Sequence, residues 1–478
     1  MRKILPAVAL LTALLAAPVP FAGEPVVVRV HYTPHDRETG RYQYVPFDVP
    51  EGTTRIDLQY AFDRAGGTNV IDLGLFEPGP LDLGTPAFRG WSGGERTSIS
   101  VGVGGATPGY WPGPLPPGRW NVMLGLYKIA PAGVDVEVKV TLGSAPEGPT
   151  PVLPPPAAEP LRRGPAWYSG GLHLHTVHSD GTVTARELAR LARAAGLDFI
   201  AVTDHNNTVH QLEGPLDEGL LHIVGEEVTT PGGHASVWGL RGARAYVDFR
   251  VLPGDPRIAD LVRAATAQGA LFSVNHPRAA CAGCSWEHAI PPGAVGIEVA
   301  NNHPEDRAAS IAAWDALLRE GRRITGIGSA DWHRAPAPID AASVRVWATE
   351  LSTAAILAGI EAGRVVVMAD GRTKPPELTV RFGKRTVRVG DTVAVAAGAP
   401  YEVALEVPAG EPAYQGGRVD LFWDGAPTGQ AELKGTGPAT FTRTTTEPGY
   451  LRAHVQRADG SPLAITNPIY VTIDSPAR

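Results

Sequence analysis

Three histidines and an aspartate crowd into the stretch "GGLHLHTVHSDGT", residues 170–182: His173, His175, His178 and Asp180. Imidazoles and carboxylates gathered without a lysine or arginine between them are the donors that hold a divalent ion. A lone H-x-H is equally at home in a polar surface turn, so the remainder of the chain has to decide. Eleven of the fourteen histidines fall between His173 and His333, a third of the sequence. Their placement says more than their number. His173 and His175 end "WYSGGLHLH", Asp204 and His205 end "FIAVTDH", and Glu226 and Glu227 end "LLHIVGEE". His276 ends "ALFSVNH", while Asp331 and His333 follow "ITGIGSADWH". Each is an apolar run closed by a metal-ligand side chain.

The segments between these runs read as helices. "TARELARLARAAG" opens with Thr184 and Glu187 in capping-box spacing and stops at Gly196. "IADLVRAATAQG" precedes "ALFSVN", "RAASIAAWDALLREG" precedes "RITGIGSA", and the pattern runs on to "AILAGIEAGRVVVMADG". Apolar strands regularly preceded by amphipathic helices predict a parallel, helix-covered sheet, most economically a barrel. Barrel enzymes assemble their sites at the C-terminal ends of the strands, where these ligands would lie.

The motifs "HLHTVHSDGT", "TDHN", "VGEEVTTPGGH", "NHP" and "GSADWH", in this order, resemble the polymerase and histidinol phosphatase (PHP) metallohydrolase domain. The match is most similar to its exported, carbaryl-hydrolase-like (CehA/McbA) branch, and "FRGWSGGERTSIS" and "ATPGYWPGPLPPGRW" resemble that branch's accessory domain. The resemblance implies a distorted (βα)7 barrel holding two or three divalent ions. It implies His173, His175, Asp180, His205, Glu227, His234, His276, Asp331 and His333 as their ligands. Glu227 is preferred to Glu226 because the family's acid stands two after a glycine, here Gly225. Trp332 departs from the family, which carries a small residue there, and is expected to narrow the pocket. The donor set contains no thiolate and suits Zn, Mn or Fe. Nine donors exceed one ion. A metal-activated water would attack an ester, with Glu227 and Asp331 in the catalytic set. Asp204 and Asn206 are expected behind the ligands; Arg278, His303 and Arg334 follow rim positions and could bind an anion or protonate a leaving group. Phosphoester hydrolysis is the leading expectation, carboxyl- or carbamate-ester hydrolysis the alternative, and a non-catalytic exported metal- or glycan-binding protein the reading from another class.

The chain has 478 residues, enough for two to four domains, and a net charge of −7 without basic runs, which argues against a nucleic-acid partner. "MRKILPAVALLTALLAAPVPFAG" reads as a signal peptide, residues 1–22, and places the protein in the periplasm or outside the cell. No later run approaches a membrane span. Short alternating segments predict a β-sandwich over 24–143, followed by a Pro-rich linker at 144–165. The barrel occupies 166–375, and strand-like segments predict a second sandwich over 376–478. The fold class is therefore α/β plus all-β. Cys281 and Cys284 in "CAGC" fit a local disulfide staple better than a redox site, which needs a βαβ context not evident here. A small-molecule ester is the expected partner, with no prediction of oligomeric state.

Overall fold

The computed structural model describes residues 24–474 apart from 156–158, 215, 217–218, 282 and 435–436; the expected signal peptide lies outside the described residues. Among them, no helix is long and apolar enough to cross a membrane.

Residues 24–143 form two four-stranded antiparallel sheets. One contains Val26–Tyr32, Arg55–Phe62, Ser98–Gly102 and Val134–Gly143; the other contains Tyr42–Val49, Val70–Phe76, Phe88–Gly93 and Gly118–Lys128. Alternation turns every second side chain inward, so Ile56, Leu58, Ile71, Leu73, Trp120 and Val122 share one core.

The central unit is a mixed sheet of nine strands: β1 (Arg162–Gly171), β2 (Phe199–Val202), β3 (Leu221–Thr230), β4 (Gly233–Trp238), β5 (Leu271–Val274), β6 (Gly296–Ala300), β7 (Thr325–Gly328), β8 (Ser343–Leu351) and β9 (Val365–Met368). Their spatial order is β7-β6-β5-β4-β3-β2-β1-β8-β9. β1, β2 and β3 run parallel, as do β5, β6 and β7, but β4 is antiparallel to both its neighbours. Among the described residues four α-helices accompany them: α1 (Ala185–Ala195), α2 (Ile258–Ala267), α3 (Arg307–Arg319) and α4 (Thr353–Glu361). A regular sevenfold βα repeat is therefore not what the described residues display. The β3–β4 connection is a hairpin around Gly233, whose φ of 113° is left-handed, and a hairpin leaves no room for a crossover helix.

α1 is the element that sequence describes most fully. Thr184 accepts from the Glu187 amide, Gly196 takes a left-handed φ of 92°, and Leu188, Ala189 and Ala192 are buried. Such a cap contributes about 1 kcal/mol. The two ends of the run β1–β7 meet beyond their strands, where Leu174 bridges Trp332 in parallel and the His175 amide donates to the Trp332 carbonyl at 2.9 Å.

The C-terminal region does not stand apart from this sheet. β9 pairs with Pro462–Thr466, which continues through Gly449–Gln456 and Arg418–Trp423 to Ala426–Glu432. A separate four-stranded sheet of Glu377–Phe382, Arg385–Arg388, Tyr401–Glu406 and Ala439–Arg443 covers their inner face, with Val380, Val403, Leu421 and Leu451 in the shared core. Part of the segment expected as linker is already strand, because β1 begins at Arg162.

Candidate metal centre

All nine candidate ligands converge. His173 and His175 lie just beyond β1, His205 beyond β2, His276 beyond β5, and Asp331 and His333 beyond β7. Glu227 and His234 depart from that rule: they sit within β3 and β4 and reach the site from the two arms of the hairpin. Four overlapping donor groups result: His175, Asp180, His205 and His333; His173, His175 and Glu227; His173, His276 and Asp331; and His205, Glu227 and His234.

Glu227 is their hub. Its Oε1 lies 3.0 Å from His173 Nε2, 3.2 Å from His234 Nδ1 and 3.2 Å from His276 Nε2, while Oε2 lies 2.9 Å from His205 Nδ1 and 3.4 Å from His175 Nε2. Asp331 Oδ1 stands 3.2 Å from both His173 Nε2 and His175 Nε2. Asp180 Oδ1 lies 3.3 Å from His333 Nε2 and 3.6 Å from His205 Nε2. Donors at 2.0–2.2 Å around a common ion fall roughly 3–3.6 Å from one another, the range found here. Asp180 Oδ1, Glu227 Oε2 and His234 Nδ1 are buried without a hydrogen-bond partner, so their lone pairs are left for something else. The residues fit divalent ions.

Electrostatics agree. Burial alone would raise the Glu227 and Asp331 carboxyls, yet the surrounding imidazoles hold both well below the usual carboxylate range. Burial, helped by His333 and His205, pushes His175 down to about 4, leaving it the neutral donor that a metal needs. His333 goes the other way: burial opposes, but Asp180 and Asp331 carry it up to about 9.

Behind the ligands stands a layer of hydrogen bonds. Asp204 accepts from the Thr176 amide and hydroxyl, both at 2.7 Å, and from Ser179 Oγ at 2.8 Å, which fixes the loop carrying His173–Asp180. Asn206 Oδ1 accepts from the Thr229 amide at 2.8 Å. Sequence reasoning missed Glu298. This carboxylate, on β6, pairs with His173 Nδ1 at 2.8 Å and accepts from the His276 amide at 2.9 Å, so it orients two candidate ligands at once. A glutamate inside the apolar strand "GIEVA" was the available signal. Asn275 was missed as well; its Nδ2 donates to Glu227 Oε1 at 2.8 Å. Asn206, His276 and Asp331 have φ of 54°, 23° and 47°, conformations that L-residues hold only when their surroundings impose them and that cluster at functional sites.

Four expectations are not met. Arg278 is exposed on the turn after His276, and among the described residues no hydrogen bond or ion pair joins it to the cluster. His303 is exposed, pairs with Glu305 at 3.3 Å and belongs to none of the donor groups. Trp332 does not narrow the pocket. Alternation along 331–333 turns it opposite to Asp331 and His333, into the core with Leu174, Leu188 and Ile339, where its Nε1 donates to the Ala337 carbonyl at 2.7 Å. Arg334 is exposed and donates to the Asp180 carbonyl at 3.4 Å. Cys281 and Cys284 are joined as a disulfide.

The N-terminal sandwich also touches the centre. Arg96 Nη2 donates to the Val177 carbonyl at 2.6 Å, the Gly109 amide to His178 Nδ1 at 3.3 Å, and the Trp91 and His205 rings lie 6.2 Å apart, edge to face.

No family model and no curated protein matches the chain. Among solved structures it is similar to a two-domain protein from Bacteroides vulgatus containing a predicted PHP-like metal-dependent phosphoesterase, at 18% identity and a TM-score of 0.37, covering 68% of this chain and 100% of that one. It is also similar to a putative metal-dependent phosphoesterase from Bifidobacterium adolescentis, at 17% identity and a TM-score of 0.26, over 36% of this chain and 89% of that one. An amidohydrolase from Chromobacterium violaceum with bound sulfate and no metal gives 16% identity and a TM-score of 0.27, again over 36% and 89%. At these scores the likeness decides nothing about the chemistry of this chain, which rests on its own residues.

Proposed function

We propose that this protein is an exported, metal-dependent hydrolase of the PHP kind that cleaves phosphoesters at a centre of two or three divalent ions. The observation that carries the reading is the sharing of donors. His173, His175, His205 and Glu227 each belong to more than one donor group, which is the arrangement of a cluster with a bridging carboxylate. Bound divalent ions would supply Lewis acidity and lower the pKa of a coordinated water towards 7.

The protein's part is to fix the donors and their protonation. Glu298 holds the His173 ring through Nδ1 and leaves Nε2 facing Glu227 and Asp331. Asp204 ties down the loop that delivers His173, His175 and Asp180. Charge supports an anionic substrate. Asp180, Glu227 and Asp331 bring three negative charges, so two dications leave one positive charge at the centre and three leave three. A phosphoester dianion complements that excess better than a neutral carboxyl ester does. Export rests on the leading segment 1–22 and agrees with the disulfide at Cys281–Cys284.

The test is hydrolysis of 4-nitrophenyl phosphate against 4-nitrophenyl acetate by protein loaded with Zn, Mn or Fe, each with a chelator control. Chelator-sensitive phosphate release supports the proposal. Turnover of the acetate alone would move the assignment to carboxyl esters, and no turnover with metal bound would favour a binding protein.

A further inference from the structure

Beside the donors lies a cavity of about 400 Å³, at the small-molecule end of ligand sites. Asp180, His205 and His234 line one side. The other side belongs to the N-terminal sandwich, through Asp72, Trp91 and Tyr127. Two strands place these groups. Val70–Phe76 turns Ile71 and Leu73 into the sandwich core and so turns Asp72 outward, towards the cavity. Phe88–Gly93 presents Trp91, whose ring packs 5.9 Å from Phe249, and whose indole Nε1 is buried without a partner.

Asp72 has no evident structural duty. Among the described residues its carboxyl accepts no hydrogen bond and makes no ion pair. Gly125, opposite it in the strand register, leaves the room it occupies: a Cβ there would come within 3.1 Å of Asp72 Cβ. The neighbouring guanidinium of Arg41 is already engaged with the carbonyls of Leu126 and Tyr127, at 3.0 and 3.1 Å. A half-buried acid without a hydrogen-bond partner, facing a cavity walled in part by Tyr42, Trp91, Tyr127 and Phe249, is a group kept for a ligand.

We propose that the N-terminal sandwich supplies the leaving-group half of the active site, with Asp72 as the specificity residue that donates a hydrogen bond to a ketone or ether oxygen on a compact, uncharged leaving group. This rests on the phosphoester reading above. Burial pushes Asp72 up to about 7 against the opposing pull of Arg41 and His205, so the acid is a donor below that pH and only an acceptor above it. The other groups that feel its charge are Tyr42, Tyr60 and Tyr127, all pushed above their usual 10 chiefly by burial; they stay neutral through the range tested.

The experiment compares cyclohexyl phosphate with 4-oxocyclohexyl phosphate, two esters of similar shape that differ in one acceptor oxygen. The ratio of their kcat/KM values cancels every titration of the metal centre that both share. For the metal-loaded wild type at pH 6, the keto ester is expected to win by roughly threefold to tenfold, the effect of one buried hydrogen bond. That preference should vanish by pH 8.5. In Asp72→Asn the amide still donates, so the preference should persist at both values. In Asp72→Leu it should be absent at both. A wild-type ratio near one at pH 6, a preference unaffected by pH, or one retained in Asp72→Leu would overturn the proposal. If neither ester is turned over, the phosphoester reading fails on its own, and the same ratio taken from dissociation constants by calorimetry still decides the role of Asp72.

Discussion

Asp72→Asn should stabilise the protein at alkaline pH and hardly at all near pH 4. The sign follows from the raised carboxyl, about 7 in the folded chain against an ordinary value of 3.8. Between those values the unfolded chain is ionised while the folded chain remains protonated, so stability falls as pH rises from about 4 to about 7 and then levels off. At 1.36 kcal/mol for each pKa unit, the full effect is about 4 kcal/mol at pH 8 and about 1.5 kcal/mol at pH 5. Asp72 is only half-buried, and solvent in the cavity screens it, so a difference of roughly 1 kcal/mol between the two pH values is the realistic expectation. The assay is urea unfolding followed by tryptophan fluorescence, for wild type and variant, at pH 5 and pH 8. Subtracting variant from wild type at each pH removes all other titrations. A variant gaining more at pH 8 than at pH 5 supports the argument; equal gains, or a larger gain at pH 5, would refute the desolvation of Asp72.

The other expectations concern the centre. Glu298→Gln should weaken metal binding roughly tenfold to a hundredfold with the fold retained, measured by competition with a chromogenic chelator, because His173 and His276 lose their orienting carboxylate. Normal affinity would show that Glu298 is only a buried acid. Trp332→Ala should cost about 3–5 kcal/mol of stability, read by denaturant unfolding, since it empties a core position and opens no pocket. Arg278→Ala should leave kcat/KM for 4-nitrophenyl phosphate within about twofold, as its side chain is exposed and belongs to none of the donor groups; a large fall would restore it to the site.

How much of the site was legible beforehand depends on what each residue answers to. His173, His175, His205, His276, Asp331 and His333 could be found because each follows directly on an apolar strand, and strand ends are visible in sequence. The nine-donor set emerged only when those positions were joined to family motifs. Glu298 escaped because one acid inside an apolar strand has no local signature; its partners are 125 and 22 residues away. The pairing of β4 escaped for a related reason. "GHASVW" is short and buried on both faces, and only its antiparallel register with β3 and β5 shows where His234 points. Phe88–Gly93 is buried throughout and lacks the period-two pattern that marks a half-exposed strand, so the element that brings Trp91 to the cavity could not be read as one. Asp72 sits at an outward position of an alternating strand, where an acid ordinarily meets water. Only the docking of the sandwich on the metal loop turns that face into a cavity wall.

The shared cluster is tested most directly by the metal content of the protein, measured by elemental mass spectrometry after loading and removal of excess ions, for wild type beside Glu227→Ala. Glu227 approaches five of the six candidate histidines, so its loss should take ions from more than one donor group at once. Two or three ions per wild-type chain, falling by at least one in a variant that keeps its circular dichroism spectrum, is the predicted result. One ion or none in the wild type, or an unchanged count in Glu227→Ala, would contradict the shared cluster.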